Sequence, residues 1–327
     1  MRFLAAETSR KALPTQALSV LSGILLIACP STEADAVSAE PVAPLSVTEV
    51  AHGVFVHFGT VALMNRRNEG AIANIGFVMG DKYVAVIDTG GSVQEGRELL
   101  AAIRTRTKAP IRYVINTHMH PDHVFGNAAF AHLGATFVGH KNLPAAMATH
   151  GRYYKQSFRA SMGEDAIADV DLVPPTVLVS DTLQIDLGKR VLVLQAWPTA
   201  HTDNDLTVLD EESGTLFTGD LLFVKHIPVL DGSLPGWIRD LDNLAHVPAR
   251  RAVPGHGPLV TDWPAGLTAE RRYLDRLAAD IRGMIKRGTS IANAAQTACA
   301  SERGRWQLFD AYNARNATAA FAELEWE

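Results

Sequence analysis

Cysteine is nearly absent from this sequence: among 327 residues only Cys29 and Cys299 occur. Cys29 lies in an N-terminal stretch that reads as a removable leader, so no intramolecular disulfide is expected once that leader is gone. The fold must then rest on its core and on any ions it binds. A basic surplus is also missing. Lys+Arg total 30 against 35 Asp+Glu, a formal net charge of −5, and nothing there neutralises phosphates, which argues against a nucleic-acid partner. Nor does any apolar run approach the roughly 20 residues that cross a bilayer, so no transmembrane span is expected. What is present is an ordinary globular composition, 47% hydrophobic and 20% charged. It is long enough for one large core or two modest ones.

Residues 1–36 have the marks of a secretory signal peptide: Arg2, Arg10 and Lys11, an apolar stretch from Ala17 to Cys29, and Ala34-Asp35-Ala36 as an A-x-A cleavage pattern. Leu26-Ile27-Ala28-Cys29 also looks like a lipoprotein box with Cys29 acylated, but Pro30 and the interrupted apolar run favour ordinary cleavage. An exported, periplasmic protein is the expectation. A Pro- and Ala-containing linker follows over 37–46.

Strand signals then begin. "GVFVHFG" alternates, and "IANIGFVMG" with "YVAVIDTGG" reads as a hairpin around Gly80-Asp81. Ser92-Val93-Gln94-Glu95 is a capping box opening a helix with Leu99, Leu100 and Ile103 on one face, and Pro110 stops it. "IRYVIN" is a short buried strand. A second round has a helix near Asn142–Met162, strands "TVLV", "TLQIDLG" and "RVLVLQAW", then "LTVLDEE" and "TLFTGDLLF" joined at Ser213-Gly214. Strands and helices in two such halves predict two sheets packed face to face with helices outside. From about Leu267 the texture turns helical. Thr268 is a candidate cap for a helix through Tyr273, Leu274, Leu277, Ile281, Met284 and Ile285, and "SIANAAQTACA" reads as a second, Ala-rich helix. The aromatic-rich end is expected to pack back on the body. The predicted organisation is therefore a domain over 47–262 with a helical C-terminal extension over 263–327.

The chemistry is concentrated in "NTHMHPDH", Asn116 to His123. Residues two apart in an extended loop face the same way, so His118 and His120 can address one cation. Pro121 suits the first turn of a short helix, which swings Asp122 and His123 toward a second position. Two ligands cannot hold a metal tightly, so others must come from elsewhere. His201 in "PTAHTDND", Asp220 in "TLFTGD" and His256 in "VPGHGP" each follow or end a strand pattern. The expected partition is His118, His120 and His201 on one metal and Asp122, His123 and His256 on the other, with Asp220 bridging. Imidazole and carboxylate donors suit zinc, two ions per chain, and iron or manganese accept the same set.

"THMHPDH", "AHTDND", "TGD" and "PGHG" together resemble the metallo-β-lactamase superfamily over roughly 47–262. That resemblance implies an α+β, four-layer αββα sandwich with a dinuclear site on one edge. It also implies that Asp88 holds a ligand histidine by hydrogen bond. The best-known β-lactamase subclass has cysteine at the place of Asp220, and glyoxalase II has "PGHT" where this chain reads "PTAHT". "KHIPVLDGSLPGWIRDLDNL" and the ending "RNATAAFAELEWE" look most like the quinoprotein relay system zinc metallohydrolases, exported proteins associated with pyrroloquinoline-quinone-dependent dehydrogenases and c-type cytochromes.

The expected function is hydrolysis of an ester, thioester, lactone or lactam bond in a small molecule by hydroxide generated at the metal pair. Asp122 would orient the nucleophile, and His226 or Lys225 would add electrostatic help from the loop past Asp220. Asp231, Ser233 and Trp237 are weaker pocket candidates, expected to shape the loop. "TVALMNRRNEGA" (60–71) could act as a flap. The alternatives are iron-dependent sulfur or oxygen chemistry on the same scaffold and a non-hydrolytic accessory role in a quinoprotein system.

Overall fold

The alternation that marks the first strands is used twice over in three dimensions. The computed structural model describes residues 42–327, and Ala12 alone before them; the signal-peptide pattern and Cys29 lie outside the described residues. One sheet has seven strands in sequential order: β1 (Thr48–Ala51), β2 (Val54–His57), β3 (Ile75–Met79), β4 (Val84–Ile87), β5 (Ile111–Ile115), β6 (Thr136–His140) and β7 (Val177–Val179). β1 to β4 form an antiparallel meander, and β4 to β7 run parallel. Between β4 and β5 lies helix α1 (Val93–Arg104), whose N-cap Ser92 accepts from the Glu95 backbone N–H at 3.2 Å, as the capping pattern requires. Short α2 (Pro121–Val124) follows β5, and α3 (Leu143–Met162) with α4 (Glu164–Ala168) precedes β7.

The second sheet is β12-β11-β10-β9-β8: β8 (Thr182–Asp186), β9 (Val191–Ala196), β10 (Leu206–Asp210), β11 (Thr215–Phe223) and β12 (Arg251–His256). β8 to β11 are antiparallel neighbours. β12 returns parallel to β11 through α5 (Leu234–Leu244). After it come α6 (Thr268–Lys286), α7 (Ile291–Thr297) and α8 (Phe309–Leu324).

Period-two patterning sends alternate side chains to two different cores. Val54, Val56, Val78, Ala85 and Ile87 face Leu192, Leu194, Val208 and Phe217 of the other sheet, forming the central layer of the sandwich. Their neighbours Phe55, Phe77, Val84 and Val86 face outward onto Leu99 and Ile103 of α1. Outside the second sheet, Leu216 and Ala252 pack under Trp237 and Leu241 of α5, Tyr273 and Leu277 of α6, and Ala317 and Phe321 of α8. Helix, sheet, sheet, helix is the four-layer arrangement the sequence implied, with the C-terminal helices belonging to the outer layer. Among the described residues, no helix is long and apolar enough to cross a membrane.

Several local expectations need correction. "TVLV" belongs to the edge of the first sheet, not the second, because β7 pairs with β6. Thr268 is the first residue of α6 and supplies no side-chain cap; the N-cap position is Leu267. The Ala-rich helix stops at Thr297: Cys299 has φ +58 and a tight 3-10 segment follows, so propensity yields to a left-handed kink that lets the chain turn into α8. Cys299 itself is buried and unbridged.

Candidate metal centre

Each side chain of the site is delivered by a strand, a strand end, a loop or the short helix α2 on one rim of the sandwich. Asp88 comes directly after β4 with φ +55, a left-handed conformation that turns its carboxylate across to the loop after β5. There it accepts three hydrogen bonds: from Thr117 N at 2.8 Å, Thr117 Oγ1 at 2.7 Å and His123 Nδ1 at 2.8 Å. Pro121 stands at the first position of α2 with His120 as N-cap, the geometry that separates His118 and His120 from Asp122 and His123. His256 is the last residue of β12. Asp220 does not end its strand. It sits inside β11, three residues before Phe223, where irregular pairing with β12 turns its side chain to the rim. Gly255 on the adjacent strand makes room: a Cβ there would fall 1.8 Å from Asp220 Oδ1. His201 lies in a loop five residues beyond β9, further from its strand than expected.

The donor atoms fall into two groups. His118, His120, His201 and Asp220 place one donor atom each within 4.8 Å of one another, and Asp122, His123 and His256 do the same. In the first group, His120 Nδ1 is 3.0 Å from His118 Nε2 and 2.9 Å from His201 Nε2. In the second, Asp122 Oδ2 is 3.2 Å from His256 Nε2 and 3.8 Å from His123 Nε2. Asp220 touches both: Oδ2 lies 3.4 Å from His201 Nε2 and 3.5 Å from His256 Nε2, and Oδ1 lies 3.2 Å from His123 Nε2.

Hydrogen bonds on the far side of every ring fix which nitrogen faces inward. His201 Nδ1 donates to Val229 O (2.6 Å), His256 Nδ1 to Ile72 O (3.0 Å), and His120 Nε2 to Asp231 Oδ2 (2.9 Å). Thr117 Oγ1 spends its proton on Asp88 and therefore accepts from His118 Nδ1 at 3.1 Å. When the rings are neutral, all five inner nitrogens thus present lone pairs. Lone pairs about 3 Å apart, as His120 Nδ1 is from both of its neighbours, repel one another unless a cation lies between them; tetrahedral ligation at about 2.0–2.1 Å spaces nitrogens at roughly 3.3 Å. His123 Nε2 and Asp220 Oδ1 are buried with no hydrogen-bond partner. Such orphaned atoms cost stability unless something occupies their lone pairs.

Without a cation, protons on two of the rings supply the positive charge that the carboxylates draw. Burial pushes His118 and His201 down, His201 to about 3. Burial acts the same way on His123 and His256, but the carboxylates of Asp220 and Asp122 outweigh it and carry both up, His256 to about 9. Burial would raise Asp122, yet His123 and His256 hold it at about 2, and Asp220 is likewise driven down. The two carboxylates stay ionised and draw positive charge to the rim, a role divalent cations fill. The donor set therefore fits two metal ions, four protein donors reaching each if Asp220 is shared.

A cavity of about 310 Å³ opens over the rim, with Asp122, Asp220, His226 and His256 on its floor and Leu63, Met64, Ile72, Phe158 and Val229 on its walls. Leu63 and Met64 belong to the 60–71 segment, which therefore borders the cavity on this edge. His226 lines the cavity, its ring 5.0 Å from that of His256; Nδ1 donates to Ile227 O at 2.5 Å. Burial together with His256 lowers it to about 4, so it is neutral at pH 7 and offers an acceptor rather than a positive charge. Lys225 instead lines a separate shallow hollow beside Gln307. Trp237 is fully buried, edge-on to His201 at 5.3 Å, and Ser233 caps α5 while donating to Glu323 at 2.6 Å. Both shape the site from behind.

Asp231 is far more than a loop former. It joins His120 to Arg315 of α8, whose Nη2 donates to Asp231 Oδ1 at 2.5 Å. α8 and the segment before it hold the whole 225–234 loop. Gln307 pairs with Lys225 and Ile227, Asn316 bonds Leu230 N (3.0 Å) and Pro228 O (2.6 Å), and Glu323 bonds Leu234 N (2.8 Å). This loop carries two of the acceptors that orient ligand histidines, Val229 O and Asp231. Sequence reasoning missed Tyr154 of α3, which lines the cavity, and Tyr312, Arg315 and Asn316 of α8, Tyr312 standing with its ring 5.4 Å from that of His226; the role of all four depends on helices returning across the rim. No local pattern announces it.

Comparison with known proteins agrees with this geometry. The family model described as "Metallo-beta-lactamase superfamily" matches residues 69–256, more than half the chain. A beta-lactamase-like protein 2 homolog from Caenorhabditis elegans is 26% identical over 176 residues, 54% of this chain and 52% of that protein. A linear primary-alkylsulfatase from Pseudomonas sp. is 44% identical over 45 residues, 14% of this chain and 8% of the relative. The chain thus spans about half the length of the first relative and a small part of the second. Among solved structures, a metallo-beta-lactamase from Pontibacter korlensis superposes with TM-score 0.58 at 21% identity, covering 71% of this chain and 99% of its own. The stereoselective inverting sec-alkylsulfatase Pisa1 from Pseudomonas sp. gives 0.66 at 15% identity, covering 86% and 50%. The fold, the rim and the family model converge: this chain belongs to the metallo-β-lactamase superfamily.

Proposed function

We propose that the protein is an exported, zinc-dependent hydrolase with a dinuclear centre. His118, His120 and His201 hold one ion, Asp122, His123 and His256 the other, and Asp220 is shared. The observation that carries this reading is the convergence of seven donor side chains in two groups on one rim, where His123 Nε2 and Asp220 Oδ1, 3.2 Å apart, are buried without a hydrogen bond. A pair of divalent ions, when bound, supplies Lewis acidity and a lowered water pKa. The residues do the rest. Asp122, ionised and on the cavity floor, accepts a hydrogen bond from the attacking water and so orients it toward the scissile bond. His226, neutral with Nδ1 committed to Ile227, accepts a hydrogen bond from water or substrate on the cavity floor. The apolar walls exclude bulk water and receive the carbon skeleton of a small ester, thioester, lactone or lactam.

Export is supported by the leader pattern of residues 1–36. Association with a quinoprotein dehydrogenase or c-type cytochrome system is supported by the likeness of "KHIPVLDGSLPGWIRDLDNL" to relay-system metallohydrolases. Sulfate esters join the substrate candidates because two similar proteins are alkylsulfatases. The test couples metal analysis to a panel of carboxylic ester, thioester, lactone, β-lactam and alkyl sulfate substrates. About two zinc per chain, turnover in one class, and its loss in Asp220→Ala are expected. Absence of metal, or full turnover in Asp220→Ala, overturns the centre; bound zinc with silence across the panel favours the accessory role.

A further inference from the structure

The cavity over the metal rim does not stand alone. A second cavity of about 710 Å³ abuts it, and His120, Tyr154, Phe158 and Arg315 line both. Arg315 is the one lysine or arginine on either wall among the described residues. Its side chain is 50% exposed, and its Nη2 alone is engaged, on Asp231. A guanidinium offers five N–H donors in a planar fork, so four remain for a ligand at the junction of the two cavities. Asp231 divides its charge between Arg315 and the His120 ring, which fixes the fork in place without covering it. Tyr154 adds a hydroxyl at the same junction, 3.4 Å from Asp231 Oδ2.

We propose that Arg315 is an anion-recognition residue and that the substrate carries a carboxylate, phosphate or sulfate group in addition to the bond that is cut. The inference rests on the hydrolase reading above and narrows its substrate class. Planar, bidentate recognition of such oxyanions is what an arginine fork provides and a lysine does not. The anion is held at the junction, the scissile bond lies over Asp122 and Asp220, and the apolar walls around Leu63 and Ile72 take the intervening carbons. A purely structural Arg315 would act only by steadying Asp231 and His120.

The test uses zinc-loaded protein and two aryl esters of equal chain length, one ending in carboxylate and one in methyl. The wild type is expected to prefer the carboxylate ester. Arg315→Met should raise KM for that ester about 10- to 100-fold, the loss of a charge-assisted pair. Any loss passed through Asp231 and His120 falls on both esters alike, so the ratio of the two KM values carries the test, with partial recovery in Arg315→Lys. No preference in the wild type, or equal losses on both esters, overturns the proposal and leaves the structural role. An equilibrium arm is independent of turnover: calorimetric titration with glutarate, sulfate and inorganic phosphate ranks the three oxyanions. At least about tenfold weaker binding of the preferred one is expected in Arg315→Met. Equal affinity in the two proteins overturns the inference even if no ester is hydrolysed, whereas silent esters with a tenfold difference remove the hydrolase reading alone.

Discussion

Replacing Asp88 and Asp231 by asparagine, one at a time, should weaken the two metal positions selectively. Asp88 is fully buried and takes three donors. In Asp88→Asn one amide face keeps the Thr117 N–H, and the NH2 then meets the Nδ1–H of His123. Two donors cannot share that contact, so His123 must move its proton to Nε2, the atom that faces the metal. Partner losses of this kind cost about 10- to 100-fold in metal affinity, about 1.4–2.8 kcal/mol at 1.4 kcal/mol per decade. The buried Asp88 should reach the upper end, at the position held by Asp122, His123 and His256. Asp231 is 31% exposed, and in Asp231→Asn the single carbonyl can serve His120 or Arg315 but not both. A loss nearer tenfold is expected, at the His118/His120/His201 position. Competition with a chromophoric chelator measures both affinities, and the visible spectrum of the cobalt-substituted protein reports which site empties first. Loss at the same position in both variants, or unchanged affinity in Asp88→Asn, would refute the tautomer argument.

Two further outcomes follow from buried groups. Burial pushes the Glu95 carboxyl up from 4.5 to about 8. The native state therefore holds a proton the unfolded chain has released, and its stabilising contribution is complete below about 4.5 and lost as pH rises through about 8. Glu95→Gln fixes the neutral form, so its melting temperature should match the wild type at pH 5 and exceed it increasingly toward pH 9; a gap that does not vary with pH contradicts the argument. Asn316→Ala leaves the Leu230 N–H and Pro228 C=O without their partner, at about 1–3 kcal/mol for each group left unsatisfied. Calorimetry should show a drop of several degrees in Tm together with weaker metal binding at His201, whose acceptor Val229 lies between them. An unchanged Tm would mean that α8 does not hold the loop.

The parts of this protein that depend on near neighbours were legible in the sequence. Alternating Val54–Val56 and Val84–Ile87 declared strands with two faces, because the side-chain period of a strand is two. Ser92 and Glu95 marked the start of a helix because the free N–H groups of its first turn need an acceptor. His118, His120, Asp122 and His123 lie close enough in the chain for their common direction to be read directly, and His201, Asp220 and His256 could be added because metals require more donors than one loop supplies. Propensity failed where packing imposed a turn, as at Cys299, and strand position failed where a bulge re-aimed Asp220 from inside β11. Only the tertiary structure could add Tyr154, Arg315 and Asn316 to the site and show that Asp231, read from the sequence as a loop-shaping candidate, ties His120 to Arg315. Tyr154 arrives on α3, and Arg315 and Asn316 on α8, which crosses a rim built from strands far earlier; contacts of that kind are fixed by how whole layers pack, which no stretch of neighbouring residues encodes.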